Sequence, residues 1–386
     1  MKLAGNDMLI QSLINEGVEY IFGYPGGAAL HIYDAIFKQK EMQHILVRHE
    51  QGATHAADGY ARATGKPGVV MVTSGPGATN AITGIATAFM DSIPMIVISG
   101  QVQSHLIGTD AFQETDMIGI SRPIVKHSFT VDHQENIPTI VKEAFHIATS
   151  GRQGPVVIDI PKDLTNPDEL FDYEYPKKVS IRSYNPPVEP EQNQVDRVIS
   201  ALKESERPVI YAGGGTIASN ASDELRELNS YIKVPVTNTL MGLGVYPGTD
   251  KYFLGMLGMH GTYQANMAMH NADLILAIGA RFDDRITNTP SKFAPKAKIV
   301  HFDVDHSSVS KIIEADIAVF GQVKNSLQAI NEKLKLESEE FDEGRFTDWH
   351  NQIADWRKSH GLNHELYLEV DAVSYTHLTL PTTTIV

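Results

Sequence analysis

The chain has 386 residues, of which 42% are hydrophobic and 20% are charged, as in a globular protein of two or three domains. Its formal net charge of −15 argues against a nucleic-acid partner, and the absence of cysteine excludes disulfides, cysteine-ligated metals and cysteine nucleophiles. No segment has the ~20 apolar residues of a membrane span, and the N-terminus does not resemble a targeting signal. We therefore expect a cytoplasmic protein with neither a nucleic-acid nor a membrane partner.

Helical and strand patterns alternate along the first part of the chain. Apolar residues at helical spacing predict a first helix, with Asn6 as its N-cap and Gly17 at its end. Short apolar runs predict strands at 18–22, 44–48, 68–73, 94–99 and 155–161, with helices at 28–38, from 50, and at 78–89. Because buried strands separated by helices form βαβ units, we expect a parallel sheet that is covered on both faces.

A proline-rich stretch, residues 166–190, is interpreted as an interdomain linker. A second α/β pattern follows, with a helix at 192–203 and strands at 208–212, 234–236, 273–279 and 298–304. The predicted fold class is therefore α/β, with two doubly wound parallel-sheet domains at residues 1–165 and 191–336. Residues 337–372 are predicted to be a connector that includes an amphipathic helix at 349–356.

The last residues, 373–386, contain five threonines and no charged residue. They continue neither a helical nor a convincing strand pattern, so we interpret them as a non-native end of the chain. A frayed native tail is the alternative.

Glu50 lies where a predicted strand leads into a predicted helix. One interpretation is that its charge favours the helix N-terminus, by ~0.3–1 kcal/mol. The other is a functional carboxylate at the carboxyl end of a parallel sheet, where open α/β folds bind ligands. Spacing alone does not decide between the two.

Two glycine-rich turns also connect a strand to a helix. The first, residues 74–77, lacks the lysine of a P-loop and is either a plain turn or a weak anion cradle. The second, Gly213–Gly215, indicates close approach of the backbone to a ligand, without the full dinucleotide fingerprint. Four charged residues follow the strand at 273–279, and they either face a ligand or form an ion-pair network: Arg281, Asp283, Asp284 and Arg285.

Several motifs taken together resemble one family. They are Phe-Gly-Tyr-Pro-Gly-Gly at 22–27, His-Glu-Gln-Gly-Ala at 49–53, Asp-Gly-Tyr-Ala-Arg at 58–62, Thr-Ser-Gly-Pro-Gly-Ala-Thr-Asn at 73–80, Gly-Thr-Asp-Ala-Phe-Gln-Glu at 108–114, Gly-Arg at 151–152 and Asp-Ile-Pro-Lys-Asp at 159–163. Over about residues 5–370 the chain resembles the catalytic large subunits of acetolactate synthases, which use thiamine diphosphate and also bind FAD.

The resemblance implies three α/β domains. The first holds the aminopyrimidine of thiamine diphosphate, the central one binds FAD, and the third binds the diphosphate through Mg²⁺. No Gly-Asp-Gly followed by a distant Asn occurs after residue 340. The third domain and its metal ligands are therefore expected to be missing from a C-terminally truncated chain. Such a chain is expected to form no acetolactate by itself.

The resemblance also assigns residues. It implies that Glu50 activates the cofactor by hydrogen bonding to its pyrimidine ring, with Gln113 and Lys162 as further catalytic residues. The other positions near thiamine diphosphate are Gly27, Thr73, Pro76 and Asn80. The substrate channel is assigned to Ala28, Ala111, Phe112 and Asp284. The positions expected to contact FAD are Arg152, Gly213, Gly214, Gly215, Thr237, Leu240, Met259, His260, Gly279, Arg281, Arg285 and Asp303.

The activity implied is decarboxylation of pyruvate and its ligation to a second pyruvate or to 2-oxobutyrate, in valine, leucine and isoleucine biosynthesis. A homodimer or tetramer and a small regulatory subunit are the implied partners. Gln103 and Gln322 depart from the proline and aspartate that are usual in the family. The alternatives are another thiamine-diphosphate enzyme of the pyruvate oxidase kind, and a non-catalytic FAD-binding fragment.

Overall fold

The computed structural model describes residues 1–336, 341 and 344–361. These residues divide into two compact units, with the boundary between Pro186 and Pro187. The predicted tail at 373–386, and the predicted connector apart from residues 341 and 344–361, lie outside the described residues.

The first unit is built on a six-stranded parallel sheet in the order β3-β2-β4-β5-β7-β6, with a separate antiparallel pair, β1 and β8. Its strands are β1 Lys2–Leu3, β2 Tyr20–Gly23, β3 Gln43–Leu46, β4 Gly68–Val72, β5 Met95–Gln101, β6 His127–Thr130, β7 Pro155–Pro161 and β8 Phe171–Asp172. Its helices are α1 Gly5–Asn15, α2 Leu30–Lys38, α3 Glu50–Thr64, α4 Pro76–Asn80, α5 Ile82–Asp91, α6 Met117–Ser121 and α7 Ile137–Thr149.

Helices cover both faces of this sheet. Every residue of β4, β5 and β7 is buried, which explains why these strands are continuous apolar runs rather than alternating ones. Val69 and Met71 pack with α1, α2 and α7, whereas Val70 and Val72 pack with α3 and α5 on the other face. This arrangement confirms the prediction of a doubly wound α/β domain.

The prediction for the start of the first helix was wrong. Helix α1 begins at Gly5 with Ala4 as its N-cap, and the Asn6 side chain instead donates from Nδ2 to the His31 carbonyl oxygen, at 3.1 Å. A Cβ on Gly5 would lie 1.9 Å from the Leu164 carbonyl oxygen, so this helix end packs tightly against the chain that follows β7. The predicted helix at 78–89 is two helices, α4 and α5, which are separated at Ala81.

The boundary between the units falls inside the proline-rich stretch 166–190. Strand β8 pairs with β1, and Tyr173 is 7% exposed in the core of the first unit. The Tyr184 hydroxyl donates to the Ser150 carbonyl oxygen at 2.8 Å. Aromatic side chains between the prolines therefore attach residues up to 186 to the first unit.

The second unit is also built on a six-stranded parallel sheet, in the order β11-β10-β9-β12-β13-β14. Its strands are β9 Pro208–Ala212, β10 Val236–Asn238, β11 Phe253–Met256, β12 Leu274–Ile278, β13 Lys298–Asp303 and β14 Ile317–Phe320. Its helices are α8 Gln192–Glu204, α9 Gly214–Ala218, α10 Ser222–Ile232, α11 Tyr263–Asn271, α12 Asp284–Thr287, α13 Val323–Leu336 and α14 Thr347–His360.

Helix α14 packs on this second unit. Trp349 and Ile353 lie in its hydrophobic core, and Trp349 Nε1 donates to the Pro208 carbonyl oxygen at 3.1 Å. The amphipathic helix predicted at 349–356 is therefore present, and it stabilises the second unit by burial of its apolar face.

Candidate functional site

The first unit has a topological switch point between β2 and β4. Strand β3 lies next to β2 on one side, and β4 lies next to β2 on the other side. The chain leaves β2 toward β3, whereas it leaves β4 in the opposite direction, toward β5. The loops after β2 and β4 therefore diverge at the carboxyl edge, where open α/β sheets bind ligands. They touch at their bases, since a Cβ on Gly26 would lie 2.3 Å from Thr73 Cγ2, and the Ala28 amide donates to Thr73 Oγ1 at 3.2 Å.

Glu50 is buried at this edge as the first residue of α3, 8% exposed. The His49 side chain caps the helix by accepting a hydrogen bond from the Gln51 amide at 3.1 Å. Asn80 Nδ2 donates to Glu50 Oε2 at 3.0 Å. A buried carboxylate is costly unless it is hydrogen-bonded, so the Asn80 contact helps to hold Glu50 at this edge in addition to its favourable place at a helix N-terminus.

The surroundings of the Glu50 carboxylate are small or polar. A Cβ on Gly77 would lie 3.3 Å from Glu50 Oε1 and 2.7 Å from Thr73 Cγ2, so only glycine fits at this position. A Cβ on Gly27 would meet no atom within 4 Å. Burial, with a further contribution from the Glu50 charge, raises the pKa of the Tyr33 hydroxyl well above its usual range.

The loop between β5 and α6 reaches the same edge. Gly75 has a positive φ of 58°, and a Cβ there would lie 2.7 Å from the Gln113 carbonyl oxygen. The Glu114 carboxylate accepts hydrogen bonds from the amides of Gly108 and Ala111, the latter at 2.9 Å. Phe112 is 88% exposed on this loop. Lys162 follows β7 at the carboxyl edge of the sheet.

The structure thus brings most of the predicted residues of the first unit to one edge. Direct contacts or neighbouring backbone join Gly27, Ala28, Glu50, Thr73, Pro76, Asn80, Ala111, Phe112 and Gln113. Arg152 is in this unit as well, where its Nε donates to Ser92 Oγ at 2.8 Å and its guanidinium lies 5.9 Å from the centre of the Phe89 ring.

Two buried polar residues at this edge, Gln101 and Asp159, were missed by the sequence analysis. Each is 4% exposed, and Gln101 Nε2 donates to Asp159 Oδ2 at 3.0 Å. Burial raises the pKa of Asp159 to about 6, which its hydrogen bonds from Gln101 and Ser99 partly oppose. The signal available in the sequence was a carboxyl and an amide within two otherwise apolar strands.

The second unit has its switch point between β9 and β12. The amides of Gly213 and Gly215 donate to the carbonyl oxygens of Ile278, at 2.9 Å, and Gly279, at 3.0 Å. A Cβ on Gly213 would lie 2.2 Å from the Gly279 oxygen. Gly279 has a φ of 60°, and a Cβ there would lie 2.7 Å from Gly215 Cα. These glycines are therefore required by the contact between two backbone turns, whatever else they approach.

The other residues predicted to contact FAD differ in exposure. Thr237 is fully buried and donates from Oγ1 to the Gly255 carbonyl oxygen at 2.8 Å, whereas Leu240 and Met259 are 65% and 61% exposed. Asp303, at the end of β13, accepts a hydrogen bond from the Asp305 amide at 2.8 Å. The rest also lie in this unit: Gly214 is the first residue of α9, Arg285 lies in α12, and His260 and Arg281 lie in loops.

The four charged residues after β12 form local ion pairs. Arg281 pairs with Asp283 at 3.5 Å, and Arg285 pairs with Asp284 at 3.7 Å. The predicted channel residue Asp284 is thus exposed on the short helix α12. Among residues 1–336, 341 and 344–361 there is no cluster of three metal-ligating side chains, and no helix there is long and apolar enough to cross a membrane.

Two family models match the chain. The thiamine pyrophosphate enzyme N-terminal TPP binding domain matches residues 3–120, and the thiamine pyrophosphate enzyme central domain matches residues 195–330. The chain belongs to the thiamine pyrophosphate enzyme family. Each match falls within one of the two units, and the N-terminal match includes the switch point around Glu50.

The chain is also similar to acetolactate synthase large subunits. It is 56% identical over 94% of its length to the acetolactate synthase large subunit of Buchnera aphidicola subsp. Acyrthosiphon pisum, and covers 63% of that protein. It is 52% identical over 95% of its length to the acetolactate synthase isozyme 3 large subunit of Escherichia coli K12, and covers 64% of it. The chain therefore spans less than two thirds of the length of these relatives.

Proposed function

We propose that the first unit supplies the pyrimidine side of a thiamine diphosphate site. We propose further that the protein to which this chain belongs is an acetolactate synthase, which decarboxylates pyruvate and joins the product to a second pyruvate or to 2-oxobutyrate. The observation that carries the proposal is the buried Glu50 carboxylate at a switch point, inside the segment that matches the TPP binding domain.

The residues around Glu50 fit an aminopyrimidine ring. Gly77 places no side chain against Glu50 Oε1, and Glu50 Oε2 already accepts a hydrogen bond from Asn80. Bound thiamine diphosphate supplies a carbon nucleophile that also accepts the electron pair released by decarboxylation. Glu50 would share a proton with a ring nitrogen, Asn80 would orient the carboxylate, and burial would strengthen that hydrogen bond.

We assign substrate contacts to the loop that carries Gln113. Gln113 and Lys162 are the proposed catalytic residues in addition to Glu50. The Lys162 ammonium would attract the carboxylate of a 2-oxo acid. The proposed substrate channel of the first unit is lined by Ala28, Ala111 and Phe112. Gln113 has a φ of 60° and packs against Gly75, so its backbone is held in a restricted conformation beside the turn that follows β4.

We propose that the second unit binds FAD at the switch point between β9 and β12. The exposed apolar side chains of Leu240 and Met259 fit the flavin, and Asp303 fits a ribose hydroxyl. Titration of the chain with FAD, followed by quenching of flavin fluorescence, tests this assignment. A folded chain that leaves the flavin signal unchanged would contradict it.

The remaining features of the proposal concern the whole protein. Mg²⁺ and the diphosphate would be held by the part of the relatives' length that this chain does not span. The expected assembly is a homodimer or tetramer with a small regulatory subunit, located in the cytoplasm and acting in branched-chain amino-acid biosynthesis.

A chimera tests the activity directly. The Haemophilus influenzae acetolactate synthase large subunit is 56% identical to this chain over 358 residues, which are 62% of that relative. We would replace those residues by the matching part of this chain and measure acetolactate formed from pyruvate with thiamine diphosphate, Mg²⁺ and FAD. We expect activity, and a fall of roughly 100-fold or more in Glu50→Gln.

The matched control is Glu41→Gln, which makes the same chemical change at an exposed position. It should leave the rate of the chimera unchanged. A folded chimera that binds thiamine diphosphate but forms no acetolactate would reject the activity, and full activity in Glu50→Gln would reject the role of Glu50.

A further inference from the structure

Gln101 connects both ends of the loop between β5 and α6. Its Oε1 accepts a hydrogen bond from the Val102 amide at 2.8 Å, where the loop begins. Its Nε2 donates to the Thr115 carbonyl oxygen at 2.8 Å, where the loop ends. One buried amide side chain therefore closes a loop of more than a dozen residues at its base.

Asp159 fixes the orientation of that amide from the neighbouring strand. Strands β5 and β7 are paired, with Gln101 opposite Pro161 and Ser99 opposite Asp159. Asp159 Oδ2 accepts the second Nε2 hydrogen of Gln101 at 3.0 Å. Ser99 and Asp116 are the other groups that affect its charge, the first as a hydrogen-bond donor and the second as a like charge. Without Asp159 the Gln101 amide would lose one of its three bonds.

The loop that this pair closes bears Ala111, Phe112 and Gln113. Within the loop, the Glu114 carboxylate accepts hydrogen bonds from the amides of Gly108 and Ala111. The Gln113 backbone packs closely against Gly75. Phe112 itself is exposed, so its own packing does not fix its position. The Ser104 amide also donates to Asp163 Oδ1 at 2.8 Å, so the closed base is one of several contacts that order the segment bearing Phe112 and Gln113.

We propose that Gln101 and Asp159 are positioning residues, whose hydrogen bond closes the base of loop 102–115 and so sets Phe112 and Gln113 at the carboxyl edge of the first unit. The importance of that placement for catalysis rests on the proposed function. The loop closure itself does not.

Hydrogen exchange of the unmodified chain and its variants, read by mass spectrometry, tests the closure. Asp159→Leu and Gln101→Met remove the bond and should speed exchange of amides 103–114 by roughly tenfold, which is the effect of one buried hydrogen bond. Asp159→Asn keeps an acceptor for Gln101, so at pH 5, where the side chain at position 159 is largely uncharged in both proteins, exchange should stay within about twofold of the unmodified chain.

Val157→Ala is the matched control, since Val157 is fully buried on the same strand and takes no part in the closure. It should accelerate amide exchange throughout the unit, with no larger effect on amides 103–114 than on the others. If Asp159→Leu and Val157→Ala raise exchange evenly across the unit, or if Asp159→Asn behaves like Asp159→Leu, the positioning role is refuted. Should Asp159→Leu fail to fold, Gln101→Met and Asp159→Asn still decide the question.

The chimera then separates this inference from the proposed function. In an active chimera, Gln101→Met should lower kcat roughly tenfold or more while Asp159→Asn preserves it, because misplaced groups weaken transition-state contacts. An inactive parent chimera would reject the proposed function. The loop closure would then still be tested by the hydrogen-exchange measurements. An active parent with an unchanged kcat in Gln101→Met would limit the pair to a structural role.

Discussion

The two units place glycine-rich turns at equivalent points, the switch points of two parallel sheets, but use them differently. At the first, Gly26 and Gly77 pack against the Thr73 side chain near a buried carboxylate, whereas a Cβ on Gly27 would meet no atom within 4 Å. At the second, Gly213 and Gly279 allow two backbone turns to touch. A glycine after a strand therefore indicates close approach, and only the structure shows whether the approaching group is a side chain, as at Gly26, or another backbone turn, as at Gly213.

The largest effect we predict is on stability, from Gly213→Ala. The new Cβ would lie 2.2 Å from a backbone oxygen, so the second unit should lose ~3–5 kcal/mol or fail to fold. Gly27→Ala meets nothing within 4 Å and should change stability by less than about 1 kcal/mol. Urea unfolding followed by circular dichroism compares them. Equal losses in the two variants would erase the distinction between the switch points.

Asp159→Asn should have the next largest effect, and it should depend on pH. Burial raises the pKa of Asp159 to about 6, above the ~3.9 of an unfolded carboxyl, so the folded chain binds this proton more tightly. The penalty for its charge is present above pH 6 and is relieved as the pH falls toward 4. Asp159→Asn should therefore be more stable than the unmodified chain by up to about 3 kcal/mol at pH 8.

The same comparison by urea unfolding at pH 4 should show a much smaller difference between the two proteins, because Asp159 is then protonated in the folded chain and about half protonated in the unfolded chain. Taking the difference between variant and parent cancels the titration of the other groups. A stability difference that stays constant between pH 4 and pH 8 would show that Asp159 does not bind a proton in this range.

Asn80→Ala should lower the stability of the first unit by about 2 kcal/mol, because the buried Glu50 carboxylate would lose its amide donor. Thr79→Ala, at an exposed position of the same short helix, is the control. The loss should shrink when Asn80→Ala is made together with Glu50→Gln, since a neutral side chain needs the donor less. Additive losses would mean that the two side chains do not interact.

The smallest effect should come from the exposed pair of Asp284 and Arg285. Their side chains are 80% and 72% exposed, so Arg285→Ala should change stability by less than about 0.5 kcal/mol. If the second switch point binds FAD, the same variant should weaken flavin binding by roughly tenfold through loss of a charged contact. A large stability loss with unchanged flavin binding would assign Arg285 to the fold instead.

The apolar strands at the centres of both sheets were predictable because strands buried on both faces are continuous apolar runs. The edge strands β6, β11 and β14, which are only partly buried, were not predicted. The bond between Glu50 and Asn80 depends on which strands are neighbours, and so does the contact between Gly213 and Gly279. No local pattern encodes those neighbours, and Gln101 and Asp159 were hidden for the same reason.

The central claim is that Glu50 at the first switch point activates bound thiamine diphosphate. Exchange of the cofactor C2 proton for deuterium, measured by NMR in the chimera, tests it without any substrate. We predict that Glu50→Gln slows this exchange by roughly 100-fold or more, whereas Glu41→Gln leaves it unchanged. Exchange at the unmodified rate in a Glu50→Gln chimera with cofactor bound would contradict the account.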